Sequence, residues 1–104
     1  MDLTTIVTFI HGATGLTPYP LVATETAGVP LITYQRTGIT VEDKDMRTTA
    51  TYLVQVVAST YSDAITLLSA LYLAAASQDV EIEDGGDLFA EGYYICSASI
   101  TLHV

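Results

Sequence analysis

The chain has 104 residues, of which three are cationic and twelve are acidic, so its formal net charge is −9. Half of the residues are apolar and only 14% are charged, a composition that excludes a disordered chain. The length predicts one domain over residues 1–104. Specific binding to DNA, RNA or an anionic membrane requires clustered Lys and Arg. The only cationic residues of the chain are Arg36, Lys44 and Arg47, so these partners are excluded.

The cysteine content and the first residues favour an intracellular chain. Cys96 is the single cysteine, so no intrachain disulfide is expected. Residues Met1–Thr5 lack the positive charge and the long apolar run of a secretory signal. The longest apolar stretch, Ala64–Ala76, contains Thr66 and Ser69 and is too short to span a bilayer.

The first segment has apolar residues at helical spacing, namely Leu3, Ile6, Val7, Ile10 and Ala13. Asp2 or Thr4 can cap the N-terminus of this short helix, and Gly12 and Gly15 end it. Several of its residues are β-branched and form helices weakly, so a strand over Thr5–Ile10 is the alternative.

The next segment is predicted to be extended. Two prolines exclude a helix over Tyr19–Thr24, and Thr26–Gly28 is typical of a turn. A strand is then predicted over Val29–Thr37, with Pro30 at its beginning or on a sheet edge because proline cannot donate to a ladder.

Residues Thr48–Ala58 show the clearest strand pattern. One face carries Ala50, Tyr52, Val54 and Val56, and the other carries Thr49, Thr51, Leu53 and Gln55. Leu53 and Val57 make the second face partly apolar, which suits a central strand or a strand covered by a partner.

The following helix is predicted from both its cap and its stripe. Thr60 is a good N-cap, with Asp63 at the capping-box spacing. The apolar stripe comprises Tyr61, Ala64, Ile65, Leu68, Leu71, Tyr72 and Ala75. The opposite side carries Ser62, Thr66, Ser69 and Leu73. A helix side without Lys or Glu is compatible with packing against a neighbouring subunit.

The last third predicts two strands. Val80–Glu83 alternates, Asp84–Asp87 is predicted to turn, and a long final strand follows. One face of that strand carries Tyr94, Cys96, Ala98, Ile100, Leu102 and Val104. The resulting order of helix, two or three strands, helix and two strands predicts an α+β domain. Its antiparallel sheet is expected to have four to five strands, with two helices packed on one face.

No catalytic, cofactor or metal site is predicted. His11 and His103 lack metal ligands at a suitable spacing, and no cation or histidine adjoins Cys96 in sequence. The Gly12–Gly15 segment lacks the lysine of a phosphate loop. The acidic residues around Asp84–Asp87 are interpreted as the solvated charges of a hairpin turn rather than as Ca²⁺ ligands.

An enzyme remains an alternative of a different class. It would require acidic groups and a histidine to converge in a pocket, and Asp87, Glu91 and His103 are the residues to inspect.

A charged segment is the first candidate interaction site. It comprises Glu42, Asp43, Lys44, Asp45 and Arg47. Mixed charge without apolar periodicity predicts an exposed hairpin or loop. Because both signs are present, the segment can form complementary contacts with an adjacent subunit or another partner. The alternative is an ordinary solvated loop.

Apolar positions on the expected outer faces are the second candidate. These are Leu53, Val57, Leu67, Leu73 and Ile95. A homo-oligomer would bury them, whereas the alternative is an apolar monomer kept in solution by its net charge. We predict the oligomer.

Three stretches resemble a known family. They are Val29–Thr37, Ala50–Ala64 and Glu91–Ile100, within which Pro30, Tyr34, Tyr61 and Ala64 match the family's pattern. The chain is similar, over Leu16–Val104, to the tail-completion (tail-terminator or head–tail joining) proteins of long-tailed bacteriophages and prophages. The first segment departs from that family, which usually opens with a longer helix.

The resemblance implies a structural virion protein of the tail or neck, assembled in the host cytoplasm, without catalysis or cofactor. Its subunits would close into a ring, commonly a hexamer, that caps the tail tube and joins it to the head connector. An acidic ring would let DNA pass without binding it specifically. The alternative function is a small monomeric or dimeric module that binds a peptide or a small molecule.

Overall fold

A computed structural model describes residues 5–21, 28–42, 47–78 and 80–103, with the backbone alone for residues 40–42 and 47. The elements in chain order are α1 (Thr5–Thr14), β1 (Tyr19–Pro20), β2 (Leu31–Glu42), β3 (Arg47–Ala58), α2 (Tyr61–Gln78), β4 (Glu81–Ala90) and β5 (Tyr93–His103). The predicted α+β class is confirmed.

The sheet has five strands in the order β1-β2-β3-β5-β4. Strands β2, β3, β5 and β4 pair antiparallel, whereas β1 pairs parallel to β2 through Tyr19 with Thr33 and Pro20 with Tyr34. The sheet is therefore mixed but mostly antiparallel, so the predicted antiparallel sheet of four to five strands is confirmed except for the direction of β1. Because β1 has only two residues, no alternating pattern predicts it as a strand or indicates its direction relative to β2.

Both helices contribute to one core on one side of the sheet. Helix α1 buries Ile6, Phe9 and Ile10, and its contacts with α2 bring these side chains into the same cluster as the sheet. The helical interpretation of this segment is thus confirmed over the strand. The helix ends at Gly15, whose φ of +77° suits glycine and whose N–H donates to the carbonyl of His11 at 2.8 Å.

The alternation predicted for the two long inner strands is confirmed. On the helix side, β3 buries Ala50, Tyr52, Val54, Val56 and Ala58, and β5 buries Cys96, Ala98, Ile100 and Leu102. These residues pair directly with one another across the two strands, so the core face is a continuous apolar surface.

Helix α2 crosses over β5 and links β3 to β4, which run parallel to each other with β5 between them. Its predicted N-cap is confirmed, since the Asp63 N–H donates to the Thr60 hydroxyl at 3.2 Å. Such a cap stabilises a helix by about 1 kcal/mol. The apolar stripe meets the core through Ala64, Leu68, Leu71 and Ala75.

The predicted turn at Asp84–Asp87 is wrong. Strand β4 continues through these residues, with a bulge between Asp84 and Gly86 in its pairing with β5. The chain instead turns at Glu91 and Gly92, whose φ angles are +55° and +84°. Two consecutive positive φ angles are those of a type I′ hairpin. Gly86 adopts a φ of +90°, so the glycines serve a bulge rather than a turn.

No helix in the described part of the chain is long and apolar enough to cross a membrane.

Candidate functional site

Two residues of the charged segment predicted as an interaction site are described. Glu42 is the last residue of β2 and Arg47 is the first residue of β3, and their backbones pair. Asp43, Lys44 and Asp45 lie outside the described residues. Pairing of the flanking backbone agrees with the expectation of a hairpin, and the interaction role stays a prediction.

The sheet side opposite the helices forms a second surface, here called the open face. Its central positions are Thr49, Thr51, Leu53, Gln55 and Val57 on β3, and Ile95, Ser97, Ser99 and Thr101 on β5. All nine are half-buried because they shield one another across the strands. None carries a charge, and neither helix covers them, since both helices pack on the other side.

The open face has an apolar end and a hydroxyl end. Val57 pairs with Ile95, and Ile95 pairs with Leu88 on β4, which gives an apolar row across three strands. Towards the other end, the hydroxyls of Thr51 and Thr101 are 3.0 Å apart in a hydrogen bond. An open depression of about 620 Å³ lies there, lined by Thr51, Ser99, Thr101, Ile82, Glu81 and Glu83. Among its described lining residues, the carboxylates are those of Glu81 and Glu83 on β4.

Aromatic side chains contact one another beside the end of the β4–β5 hairpin, and we call them the tip cluster: Tyr61, Phe89 and Tyr94. The ring of Tyr94 lies 4.7 Å from Phe89 and 5.7 Å from Tyr61, both in tilted contacts. All members except Tyr94 are exposed. Exposed aromatic residues of this kind are enriched at the centres of protein interfaces.

A tyrosine–aspartate pair joins α2 to β4 beside the tip cluster. The Tyr61 hydroxyl donates to Asp87 Oδ2 at 2.5 Å. This hydrogen bond lowers the pKa of the Asp87 carboxyl, with a further contribution from the Cys96 thiol. The same bond raises the pKa of Tyr61. The pair therefore fixes the start of α2 against the edge strand.

Cys96 is buried on the core face, as predicted. Burial raises the pKa of its thiol to about 11, and the neighbouring Asp87 carboxylate adds to this effect. The thiol is thus held in its unreactive protonated form, which agrees with its interpretation as a small core residue.

A smaller cavity of about 250 Å³ lies between the start of α1 and the end of β5. It is lined by Thr5, Thr8, Phe9, Gln78, Val80, Thr101, Leu102 and His103. Ligand sites for small molecules usually enclose about 300–1,000 Å³. The cavity is below that range, so it gives the binding-module alternative little support.

The acidic and histidine residues named for an enzyme do not meet. Glu91 precedes β5 and His103 ends it, so the two lie at opposite ends of an eleven-residue strand. Asp87 lies in β4 and bonds to Tyr61. Within the residues that the structure describes, no group of three or more His, Cys, Asp or Glu side chains is placed to hold a metal ion.

Sequence reasoning foresaw part of these surfaces and missed the rest. Leu53, Val57 and Ile95 were expected on an outer face and do lie on the open face. Leu67 is half-buried against the core, whereas Leu73 is exposed on α2. The tip cluster was missed. The density of aromatic residues on both sides of Glu91–Gly92 was the available signal for a tight hairpin there.

Comparison with known proteins does not place the chain in a family. No protein-family model matches the chain, and no curated protein matches it at a significant level.

Proposed function

We propose that this protein is a structural virion subunit, a tail-completion (tail-terminator or head–tail joining) protein of a long-tailed phage or prophage. Its copies form a ring, a hexamer in the form the resemblance implies, between the tail tube and the head connector. It acts through protein contacts, without catalysis or cofactor, and it assembles in the host cytoplasm.

The observation that carries the proposal is the open face. Nine central positions on β3 and β5 carry no charge, although the chain as a whole has a net charge of −9. The apolar row at one end of this surface is costly to leave in water. Contact with another protein removes that cost, and a subunit placed between the tail tube and the head connector has such neighbours.

The element order and the charge give further support. The order helix, three strands, helix and two strands agrees with the order of features on which the resemblance depends. The net charge of −9 disfavours DNA adhesion, as is needed in a ring through which DNA passes.

Mass and shape test the proposal directly. Size-exclusion chromatography with light scattering is expected to give a discrete oligomer, and negative-stain microscopy is expected to show rings that add to the ends of purified tail tubes. A strict monomer that does not bind tail tubes would contradict the proposal. A monomer whose melting temperature rises with a small molecule or peptide would favour the binding-module alternative instead.

A further inference from the structure

The two edges of the sheet differ in charge. Strand β4 forms one edge, and β1 with the outer side of β2 forms the other. Each edge also presents exposed apolar side chains, so each has the composition of an interface. Two copies of the chain can meet either through two like edges or through one edge of each kind.

The β4 edge is acidic. It carries Glu81, Glu83, Asp84 and Asp87, all exposed, followed by Glu91 in the turn. No cation lies between residues 79 and 91. The side chains of Leu88 and Phe89, on this same edge, are 60% and 59% exposed.

Within the described residues, most of the opposite edge has no strand beside it, and this edge carries a cation. Among the described residues, β1 pairs only with Thr33 and Tyr34, so the outer side of β2 has no strand partner from Gln35 onward. Arg36 is exposed there, and no carboxylate in the described ranges pairs with it. Leu21 and Ile39, exposed by 65% and 39%, flank it on this edge.

The order of groups along the two edges also matches. The Leu21 N–H donates to the carbonyl of Tyr34 at 2.7 Å. Leu21 follows the Pro20–Tyr34 pair of the parallel strands, and Arg36 comes after it along β2. On β4, Phe89 is followed by Asp87 in the same direction across the sheet, because β2 and β4 run antiparallel to each other. Both edges thus place an apolar residue first and a charged residue next.

This matching favours unlike edges. Two β4 edges meeting about a two-fold axis would bring their carboxylates together, and like charges in contact are unfavourable. A β4 edge against a β2 edge brings Arg36 to the carboxylates and apolar residues to one another. We infer that copies of this chain associate head to tail, the acidic β4 edge of one copy contacting the Arg36 edge of β2 on the next. The inference rests on the proposed function and adds the surfaces through which the oligomer forms.

Two single variants and their mixture test the inference. Arg36→Glu disables the β2 edge, and Phe89→Glu disables the β4 edge because it replaces an exposed apolar side chain of that edge. Light scattering is expected to give monomers for each variant alone. Their equimolar mixture is expected to give a heterodimer, because each variant retains the one edge that the other lacks. Ala76→Glu is the charge-matched control, since Ala76 is exposed on α2 and belongs to neither edge, and it is expected to assemble like the wild type.

The outcomes separate the two proposals. If the wild type assembles and both edge variants assemble equally well, the edge contact is wrong while the oligomeric function stands. If each variant is monomeric but the mixture stays monomeric, the head-to-tail arrangement is wrong. If the wild type itself is a strict monomer, the proposed function fails and the inference fails with it. Circular dichroism and thermal melting of each variant show whether a monomer is still folded.

Discussion

The position of Asp87 on its exposed strand is fixed by a hydrogen bond from a tyrosine rather than by an ion pair. The Tyr61 hydroxyl donates to it at 2.5 Å, and the pKa of the carboxyl is lowered as a result. A carboxyl whose pKa is lower in the folded chain than its ordinary value of 3.8 stabilises the fold above that pH. The stabilisation is lost as the pH falls through the lowered pKa.

Tyr61→Phe is therefore expected to raise the pKa of Asp87 towards its ordinary value. The variant is also expected to unfold more easily than the wild type near neutral pH. The difference is expected to shrink as the pH falls below 3.8 and through the lowered pKa of Asp87, because Asp87 then becomes protonated in both proteins. Carboxyl-detected NMR titration measures the pKa, and urea unfolding measures the stability. Tyr93→Phe, on the same hairpin, is the control and should leave the pKa of Asp87 unchanged. An identical Asp87 pKa in Tyr61→Phe and wild type would contradict the assignment.

At the scale of elements, β4 shows why a local turn signal can fail. The segment Asp84–Asp87 contains two adjacent glycines, which read locally as a turn. In the fold, Gly85 lies against β5, where an added Cβ would be 3.1 Å from the Cβ of Ser97. Gly86 takes a φ of +90° next to it. The two glycines are thus required by the pairing of β4 with β5, one for its close approach to Ser97 and the other for its positive φ. Because β5 comes later in the chain, the local sequence pattern does not indicate this pairing.

Other elements were predictable because their determinants are local. The alternation of β3 and β5 and the Thr60 cap of α2 are properties of consecutive residues, and all are found in the structure. The open face was partly predictable for the same reason. The tip cluster was not, because Tyr61 lies beside Tyr94 only once β3 pairs with β5, which places Ala58 opposite Tyr94.

Two glycine substitutions with opposite expected signs test the account of β4. Gly86→Ala is expected to lower the free energy of unfolding by about 1–2 kcal/mol, because a side chain is strained at positive φ. Gly12→Ala is the matched control. Gly12 is exposed within α1 and has nothing within 4 Å of an added Cβ, so alanine there is expected to stabilise by about 0.5–1 kcal/mol. Urea unfolding measures both. Equal stability of Gly86→Ala and wild type would show that this backbone conformation is not required.

At the scale of the whole molecule, repulsion between the net charges of two copies opposes the attraction at the contact between their edges. Six of the twelve acidic residues lie in one segment, namely Asp79, Glu81, Glu83, Asp84, Asp87 and Glu91. Two copies, each with a net charge of −9, repel at a distance. Contact between unlike edges attracts only at short range, where Arg36 meets carboxylates. The balance between these effects depends on how far the charges are screened.

Association of the wild type is therefore expected to strengthen when salt is raised from about 10 mM to about 150 mM, because the screening length falls from about 30 Å to about 8 Å. Screening over that range removes repulsion between whole copies and weakens the close Arg36 contact much less. Light scattering at constant protein concentration measures the change in mean mass. Arg36→Glu lacks the short-range contact and should stay monomeric at both salt concentrations. If wild-type association weakened steadily with salt, attraction between the edges would exceed the repulsion between the copies, and this account of the charge balance would be wrong.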